Sequence, residues 1–227
     1  DFNYNIAYEI RLNQALSENM LVPFHYHGVS EITVNGELLD DHADFNRLVS
    51  EERVKHILHY ADFYGCDQGR IKGLVFCSRL EEAQALCDAF NKYGKRSACM
   101  SGATNEGERK NLIDRLELDD YNNPTALDYL FSVDVLNEGV DIPSVNQIIM
   151  LRPTASAIVF VQQLGRGLRK SKDKRYLEVI DFIGNYDNNY LLPIALYGDR
   201  TYKKEHVRRT MQNNYLPGAS TVYFEDV

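Results

Sequence analysis

Short apolar runs alternate with amphipathic segments through the middle of the chain. Apolar residues three or four positions apart follow several of these runs, which is typical of helices that pack one face against a sheet. Near-continuous apolar strands that alternate with such helices are typical of a parallel sheet covered on both faces. The pattern therefore predicts an α/β fold, with strands at 71–77, 96–100, 129–133, 147–151 and 176–183.

Two helices are predicted between the first three runs. One ends at Gly94 and the next begins near Thr104. Apolar residues at helical spacing are predicted to face the sheet, and they are Leu80, Ala83, Leu86 and Phe90 on the first helix and Leu112, Ile113 and Leu116 on the second.

The sequence before residue 70 predicts a hairpin and further helices. Irregularly spaced apolar residues predict a helix within 1–22, which Pro23 ends. Asn35-Gly36 joins two short β-like runs and is a strong hairpin signal. Ser50, followed by two glutamates, is typical of a helix N-terminus, and helical apolar spacing continues from there to Gly65.

Two pairs of histidines have the residue type of metal ligands. His25 and His27 flank a tyrosine, and His56 and His59 lie one helical turn apart. Neither pair has further ligands at a usual spacing, so packed or exposed histidines are the better interpretation and no metal site is predicted.

Polar and small residues follow the apolar runs where the sheet edge is expected. The carboxyl ends of parallel strands meet at one edge, which is where ligands bind in open α/β sheets. This edge is therefore a candidate site, and the residues that reach it are Ser78-Arg79, Ser101-Gly102, Ser132 and 138–141.

The segment 162–169 predicts a helix with a basic stripe. Gln162, Gly165, Arg166 and Arg169 lie at i, i+3, i+4 and i+7, beside an apolar stripe that includes Leu164 and Leu168. Gly165 and Gly167 each cost a helix about 1 kcal/mol relative to alanine, so close approach to another surface is a reasonable explanation for them. The arginines could clamp an anion, or they could lie in solvent.

Composition is ordinary for a soluble globular protein, with 227 residues, 44% apolar and 26% charged. No apolar run is long enough to span a membrane and the N-terminus lacks a signal peptide, so a cytoplasmic location is expected. The four cysteines show no CxxC pair, which favours scattered buried thiols. Since the chain opens without Met inside amphipathic sequence, we expect it to be part of a longer protein.

The net charge of −8 disfavours a nucleic-acid partner at first sight. The acidity lies in the flanks, however, because residues 70–175 are slightly net positive and include a basic run from Arg166 to Arg175. Local field matters more to an anionic ligand than total charge.

Three blocks of sequence resemble the second RecA-like domain of superfamily 2 helicases and translocases. Residues 74–79 resemble motif IV, residues 132–143 resemble motif V, and Gln162-x-x-Gly165-Arg166-x-x-Arg169 has the motif VI pattern. Between the first two, Ser101-Gly102 and Glu108-Arg109 are similar to the family's loop and helix start. The ordered set makes the resemblance specific, and it covers roughly residues 70 to 185.

The resemblance implies a RecA-like fold in three parts. Residues 1–69 would be a connector from a missing first RecA domain, with the hairpin and helices, and residues 70–200 would be the second RecA-like domain. Residues 201–227 would be a C-terminal linker. The beginning of the chain looks like DEAD/DEAH-type proteins related to restriction-enzyme translocating subunits. Motif V departs from the DEAD-box pattern, which argues against a strict DEAD-box RNA helicase.

The resemblance also implies roles for individual residues. Arg166 and Arg169 would be arginine fingers that reach the γ-phosphate of ATP, while Gln162, Gly139 and Asp141 would contact the nucleotide. Contacts with the nucleic-acid backbone are implied for a second group of residues, which comprises Ser78, Arg79, Gly102, Arg109 and Ser132. Simpler interpretations remain open: Gly139 and Asp141 could form a turn, and Arg109 could pair with Glu106 or Asp114 on its helix.

The expected function is the C-terminal half of an ATP-dependent helicase or translocase, inactive as an ATPase in isolation. The sequence has no GxxxxGK[ST] motif. The resemblance implies that the phosphate loop and the Mg²⁺ ligands lie on the first RecA-like domain. DNA is expected rather than RNA. The alternative is a non-catalytic α/β module that docks an acidic partner through the basic run.

Overall fold

The structure is a computed structural model that describes residues 12–34, 37–38, 45–67, 69–133, 142–152, 164–172, 174–182 and 220–224. The helices are α1 (Leu12–Ser17), α2 (Phe45–Leu48), α3 (Glu51–Tyr64), α4 (Leu80–Lys92) and α5 (Glu106–Glu117), and residues 164–168 are also helical. The strands are β1 (Phe24–Gly28), β2 (Thr33–Val34), β3 (Glu37–Leu38), β4 (Gly73–Phe76), β5 (Ser97–Met100), β6 (Tyr129–Ser132), β7 (Gln147–Met150), β8 (Leu177–Asp181) and β9 (Thr221–Phe224).

Seven of the described strands form one parallel sheet, with the order β5-β6-β4-β7-β8-β1-β9, and β2 and β3 form a separate two-stranded sheet. Each pair of neighbours in this sheet is parallel. The five predicted strands are present as β4 to β8, each shorter than its apolar run. The predicted α/β fold with a parallel sheet is therefore confirmed.

Helices cover both faces of this sheet. α3 and α4 bury Ile57, Leu86 and Phe90 on one face, here called the α4 face. α1, α5 and the 164–168 helix cover the opposite face, here called the α5 face, with Leu116 and Leu168 in its core. Connections through α3 and α4 run toward the β5 edge, whereas those through α5 and the 164–168 helix run toward the β9 edge. Connections of one hand that run in opposite directions must cross opposite faces.

Local sequence signals explain where the helices begin and end. The Ser50 hydroxyl accepts a hydrogen bond from the Arg53 amide at 3.3 Å, so the predicted N-cap of α3 is confirmed. Asn105 caps α5 in the same way through the Glu108 amide at 2.9 Å. Gly65 and Gly94 follow α3 and α4 with φ of 61° and 81°, a conformation that glycine adopts without strain.

Two details of the predicted elements differ in the structure. Leu80 was predicted to face inward, but it is 50% exposed because it is the first residue of α4, beyond the end of β4. Ile113 is only partly buried, beside the buried Leu112 and Leu116. The predicted hairpin is confirmed by the antiparallel pairing of β2 with β3, although Asn35-Gly36 lies outside the described residues.

Two strands of the sheet come from segments that the sequence placed outside the central domain. β1 pairs with β8 on one side and with β9 on the other. His25 Nδ1 and Thr221 Oγ1 share a hydrogen bond of 2.6 Å, and the Phe24 amide donates to Ser220 Oγ at 3.1 Å. The division into 1–69, 70–200 and 201–227 stays a prediction, but the sheet extends beyond its middle part.

A buried arginine joins three elements on the α4 face. Arg53 of α3 donates through Nε to Glu31 at 2.9 Å, and through Nη1 to Glu82 of α4 and the Leu48 carbonyl at 2.8 Å each. Burial lowers the pKa of the Arg53 guanidinium, but the two carboxylates outweigh that effect and raise the pKa overall. The first turn of α4 is thereby held against the loop that follows β1.

Each helix that the structure describes is too short or too polar to span a lipid bilayer.

Candidate functional site

The carboxyl ends of the central strands bring several predicted site residues to one edge. In the sheet register Phe76 of β4 lies beside Ser132 of β6, and Met100 of β5 lies on the other side of Ser132. Ser78 and Gly102 follow β4 and β5 at this edge. The grouping inferred from the strand pattern is therefore present.

Ser78 and Arg79 lie between β4 and α4. Ser78 is half-buried and Arg79 is exposed. Arg79 occupies the N-cap position of α4 with extended backbone, and its side chain makes no capping hydrogen bond. The helix dipole favours anions here, and of the two glutamates in the first turn Glu82 is turned inward to Arg53. Arg79 is thus the exposed cation of this helix start.

Arg109 closes the loop that follows β5. Its Nε donates to the Thr104 carbonyl at 2.7 Å, and its Nη2 donates to the Gly102 carbonyl at 3.2 Å. The Ser101 amide donates to Thr104 Oγ1 at 3.0 Å, which tightens the same turn. Neither the predicted strand contact nor a pairing with Glu106 or Asp114 is needed to explain this arginine. Its described contacts shape the loop that presents Gly102.

Ser132 lies beneath the surface of the carboxyl edge. The residue is 1% exposed, and its Oγ has no hydrogen-bond partner among the described residues. Its carbonyl accepts from the Cys77 amide at 3.1 Å. An unsatisfied buried hydroxyl costs roughly 1 to 3 kcal/mol. The predicted contact of Ser132 with a nucleic-acid backbone stays a prediction, for a side chain that lies just beneath this surface.

Asp181 is a buried carboxyl at the same edge that the sequence analysis did not identify. Tyr26 of β1 donates its hydroxyl to Asp181 Oδ2 at 2.5 Å, while Oδ1 has no partner in the described part of the chain. Burial raises the pKa of Asp181 to about 7, and the Tyr26 hydrogen bond opposes that rise. An acidic residue that ends an otherwise apolar run was the available signal.

The 164–168 helix has the two stripes that the sequence predicts. Leu164 and Leu168 are fully buried, whereas Arg166 is half-buried and Arg169, just after the helix, is exposed. A Cβ added to Gly167 would lie 2.6 Å from Leu177 Cδ1, so this glycine permits close packing on β8. A Cβ added to Gly165 would meet no described atom within 4 Å. Among the described residues, the expected close approach holds for Gly167 and not for Gly165.

The end of this helix lies at the amino edge of the sheet, opposite the carboxyl ends of the strands. The Val22 amide, just before β1, donates to the Leu168 carbonyl at 2.8 Å. Lys174 donates to the Gly167 and Val145 carbonyls at 3.0 Å each, and also to Pro143. Arg169 and the strand-end residues therefore belong to two separate surfaces of the domain.

The basic run at the amino edge is partly occupied within the chain. Lys174 binds three carbonyl oxygens, and Arg175 donates through Nε to Asp67 Oδ1 at 2.9 Å. Neighbouring Arg70 caps the end of α5 by donating to the Leu116 carbonyl at 2.8 Å. Cations that satisfy carbonyls and carboxylates of their own domain contribute little to docking an acidic partner. Lys170 and Lys172 of the same run are exposed, so the alternative function stays a hypothesis.

Three predicted nucleotide-contacting residues, Gly139, Asp141 and Gln162, lie outside the described residues. In the described part of the chain, no group of three His, Cys, Asp or Glu side chains is arranged to hold a metal ion. His25 and His27 instead help to join β1, β8 and β9, since His27 Nε2 lies 2.7 Å from Glu178 Oε2.

The cysteines have no described feature of reactive thiols. Cys77 and Cys87 are buried, and Cys66 and Cys99 are half-buried. Burial raises the pKa of each thiol, to about 12 for Cys87. Each thiol is therefore protonated near neutral pH.

Comparison with known proteins identifies related sequences and folds. A family profile described as the helicase conserved C-terminal domain matches residues 52–171, which is more than half of the chain. A candidate ATP-dependent helicase, IRC3 of Saccharomyces cerevisiae, is 32% identical over 143 residues. The alignment covers 63% of this chain and 20% of IRC3, so the chain spans about a fifth of that relative's length.

Solved structures share the fold at lower identity. A fragment of a candidate HsdR subunit of a type I restriction enzyme from Vibrio vulnificus has a TM-score of 0.62 and 20% identity, and covers 98% of this chain and 40% of that one. The ATP-dependent type ISP restriction-modification enzyme LlaBIII, bound to DNA, has a TM-score of 0.60 and 19% identity, and covers 96% and 16%. Both likenesses concern the fold.

Proposed function

This chain belongs to the helicase conserved C-terminal domain family, and from that premise we propose that it is the C-terminal RecA-like half of an ATP-dependent nucleic-acid motor. The observation that carries the proposal is the orientation of the 164–168 helix. Its leucines and Gly167 pack on the sheet, which leaves Arg169 exposed and Arg166 half-buried on the side away from the core.

Arg166 and Arg169 are proposed to act on the phosphates of ATP held mainly by the first RecA-like domain. An exposed guanidinium offers the fork of donors that binds phosphate oxygens bidentately. When bound, Mg²⁺ would neutralise charge on the β- and γ-phosphates, and its protein ligands are proposed to lie on that first domain. Gln162, Gly139 and Asp141 are proposed to complete the nucleotide contacts.

The strand-end surface is proposed to hold the nucleic-acid backbone. Arg79 is exposed beside a helix N-terminus, and Gly102 is exposed on the loop that Arg109 closes. Ser78 lies between them and β4. These groups suit contacts that position a strand without reading its sequence. Arg109, which shapes the loop, and Ser132 are proposed to add further contacts with the backbone.

Single substitutions in the intact protein test the ATP-directed role. Arg169→Ala should lower nucleic-acid-stimulated ATP hydrolysis about 10³-fold, because arginine fingers contribute roughly 10³ to 10⁵ in rate. Binding of single-stranded DNA should change little, because Arg169 lies away from the strand-end surface. Lys170→Ala is the matched control, since it removes a neighbouring exposed cation. Normal turnover in the Arg169→Ala protein would refute the arginine-finger assignment.

Salt titration tests the strand-end surface and the nature of the track. Arg79→Ala should weaken binding uniformly across sequences and reduce the slope of log K against log salt by about 1. Lys92→Ala, at the other end of α4, is the control and should leave the slope unchanged. DNA and RNA strands of one sequence, compared at equal salt, test the proposed preference for DNA. If RNA binds more tightly than DNA or stimulates ATP hydrolysis more strongly, the preference for DNA is overturned. The motor assignment is unaffected by that result.

A further inference from the structure

The β5 edge of the sheet has an opening in its row of backbone hydrogen bonds. Among the described residues, β5 pairs only with β6. The Arg96 carbonyl accepts from the Asp128 amide at 2.7 Å, so Arg96 faces β6. Because the direction of backbone groups alternates along a strand, the residues whose N–H and C=O face outward are Ser97, Cys99 and Ser101.

Side chains of the same chain satisfy the outward backbone groups at two of these three residues. The Asn91 side chain of α4 takes the place of a neighbouring strand, since it accepts from the Ser97 amide at 2.9 Å and donates to the Ser97 carbonyl at 3.1 Å. Thr104 satisfies both backbone groups of Ser101: its hydroxyl accepts from the Ser101 amide at 3.0 Å and its amide donates to the Ser101 carbonyl at 3.1 Å. Between them the Cys99 N–H and C=O have no partner in the described part of the chain. Edge strands normally have their unpaired backbone groups protected. A single unprotected residue between two satisfied ones therefore suggests a position where another chain can bind.

A groove of about 470 Å³ runs beside this gap, between β5 and the outer side of α4. Its lining residues are Leu80, Glu81, Gln84, Ala85, Asp88, Cys99 and Ser101. Leu80 is half-exposed and supplies an apolar wall, while Glu81 and Asp88 are exposed carboxylates. Burial, followed by the negative charge of Asp88, raises the pKa of the Cys99 thiol, so Asp88 lies close enough to act on Cys99.

We propose that this groove, here called the β5 groove, is a docking site for an extended basic peptide segment of a partner protein. The segment would pair with β5 at Cys99 through two backbone hydrogen bonds, the mode in which peptides add to an open sheet edge. Alternate side chains of an extended peptide face the same way, so apolar residues would pack on Leu80 and Ala85. Basic residues would lie against Glu81 and Asp88.

The negative charge of the β5 groove favours a basic peptide over other ligands. Glu81 and Asp88 are seven residues apart on α4, about 10 Å along the helix, which long basic side chains on alternate peptide residues can span. No lysine or arginine is among the lining residues. The uncompensated carboxylates disfavour a nucleic-acid strand or an acidic peptide. The β5 groove is separate from the 164–168 helix, and its binding of a peptide does not depend on the proposed motor activity.

Selection of peptides against the intact protein, without ATP or nucleic acid, tests the proposal. A random peptide library is selected on the wild type and counter-selected on a Glu81→Lys, Asp88→Lys variant. We expect enrichment of peptides that alternate basic and apolar residues, and about tenfold or more weaker binding of those peptides to the variant, because two attractive exposed pairs become repulsive. A Glu52→Lys, Asp114→Lys variant makes the same change in net charge at two exposed positions elsewhere and should bind like the wild type.

Hydrogen exchange distinguishes strand addition from nonspecific attraction. A bound peptide should slow exchange of the Cys99 amide, whereas the Ala98 amide, which faces β6, should change little. Three outcomes would overturn the proposal: no peptide that discriminates wild type from the groove variant, enrichment of acidic or uncharged peptides, or an unprotected Cys99 amide in the complex. Because ATP hydrolysis is not measured, failure of the motor assignment would leave this result unaffected.

Discussion

The carboxyl edge of the sheet and the 164–168 helix differ in where their polar side chains lie. At the carboxyl edge Arg109 donates to the carbonyls of its own loop, and Ser132 and Asp181 are buried. At the helix Arg169 is exposed and the apolar residues are buried. Residues assigned to ligand contacts by the same resemblance therefore differ in what they do for the isolated domain. The edge residues shape their own surface, whereas Arg169 lies exposed just after the helix.

Substitutions in the two regions should differ most in their effect on ATP hydrolysis. The stimulated rate should fall about 10³-fold in Arg169→Ala and at most about tenfold in Arg109→Ala, because Arg169 is proposed to act on phosphate and Arg109 is not. Steady-state rates at saturating and limiting DNA separate the two, since Arg109→Ala should act mainly through the DNA concentration required. Equal losses at saturating DNA would remove the distinction between the two regions.

The buried carboxyl of Asp181 predicts a pH dependence of stability at the carboxyl edge. Its pKa is about 7 in the folded chain against an ordinary value of 3.8, so the folded state binds the proton more tightly. This contribution is complete below the unfolded pKa and is lost as the pH rises through 7. The loss amounts to about 4 kcal/mol at most. Asp181→Asn should abolish it.

Urea unfolding of wild type and Asp181→Asn between pH 5 and 8 measures this difference. The free energy of unfolding of the wild type should decline relative to that of the variant across this range. Asp114→Asn, at an exposed position on α5, should follow the wild type. Parallel curves for wild type and Asp181→Asn would show that Asp181 does not titrate in this window.

The two glycines of the 164–168 helix should respond oppositely to alanine. Gly167→Ala places a Cβ 2.6 Å from Leu177 Cδ1 and should destabilise the domain by roughly 1 to 3 kcal/mol through overpacking. Gly165→Ala faces no described atom and should stabilise the helix by up to about 1 kcal/mol. Thermal unfolding of the pair provides the measurement. Similar destabilisation by both substitutions would contradict the packing of this helix.

Arg109 and Arg169 should also differ, by a smaller amount, in how much each stabilises the folded domain. Arg109→Ala should reduce the free energy of unfolding by about 1 to 2 kcal/mol, because it leaves the Thr104 and Gly102 carbonyls without this donor. Arg169→Ala should remain within about 0.5 kcal/mol of wild type, as is usual for exposed positions. Chemical denaturation resolves this difference, and its reversal would mean that the two regions are assigned the wrong way round.

Much of the fold was predictable because its signals are local. Apolar runs gave β4 to β8, and helical spacing with Ser50 and Gly65 gave the limits of α3. The sheet membership of β1 and β9 was not predictable from such signals. Their pairing joins residues about two hundred positions apart, as in the contact of His25 with Thr221. The aromatic and β-branched residues of β9 were a signal for a strand but not for its place in the sheet.

Local patterns were enough to predict the alternation of strands and helices, the strand ends that meet at one edge, and the two stripes of the 164–168 helix. These features follow from residue periodicity, which acts within a few positions along the chain. The folded structure was needed to see which glycine packs on Leu177, why Arg109 turns toward its own loop, and that Cys99 is the position where the β5 edge stays open. Each of these depends on atoms that are distant in sequence or on backbone direction, and neither is encoded in a local pattern.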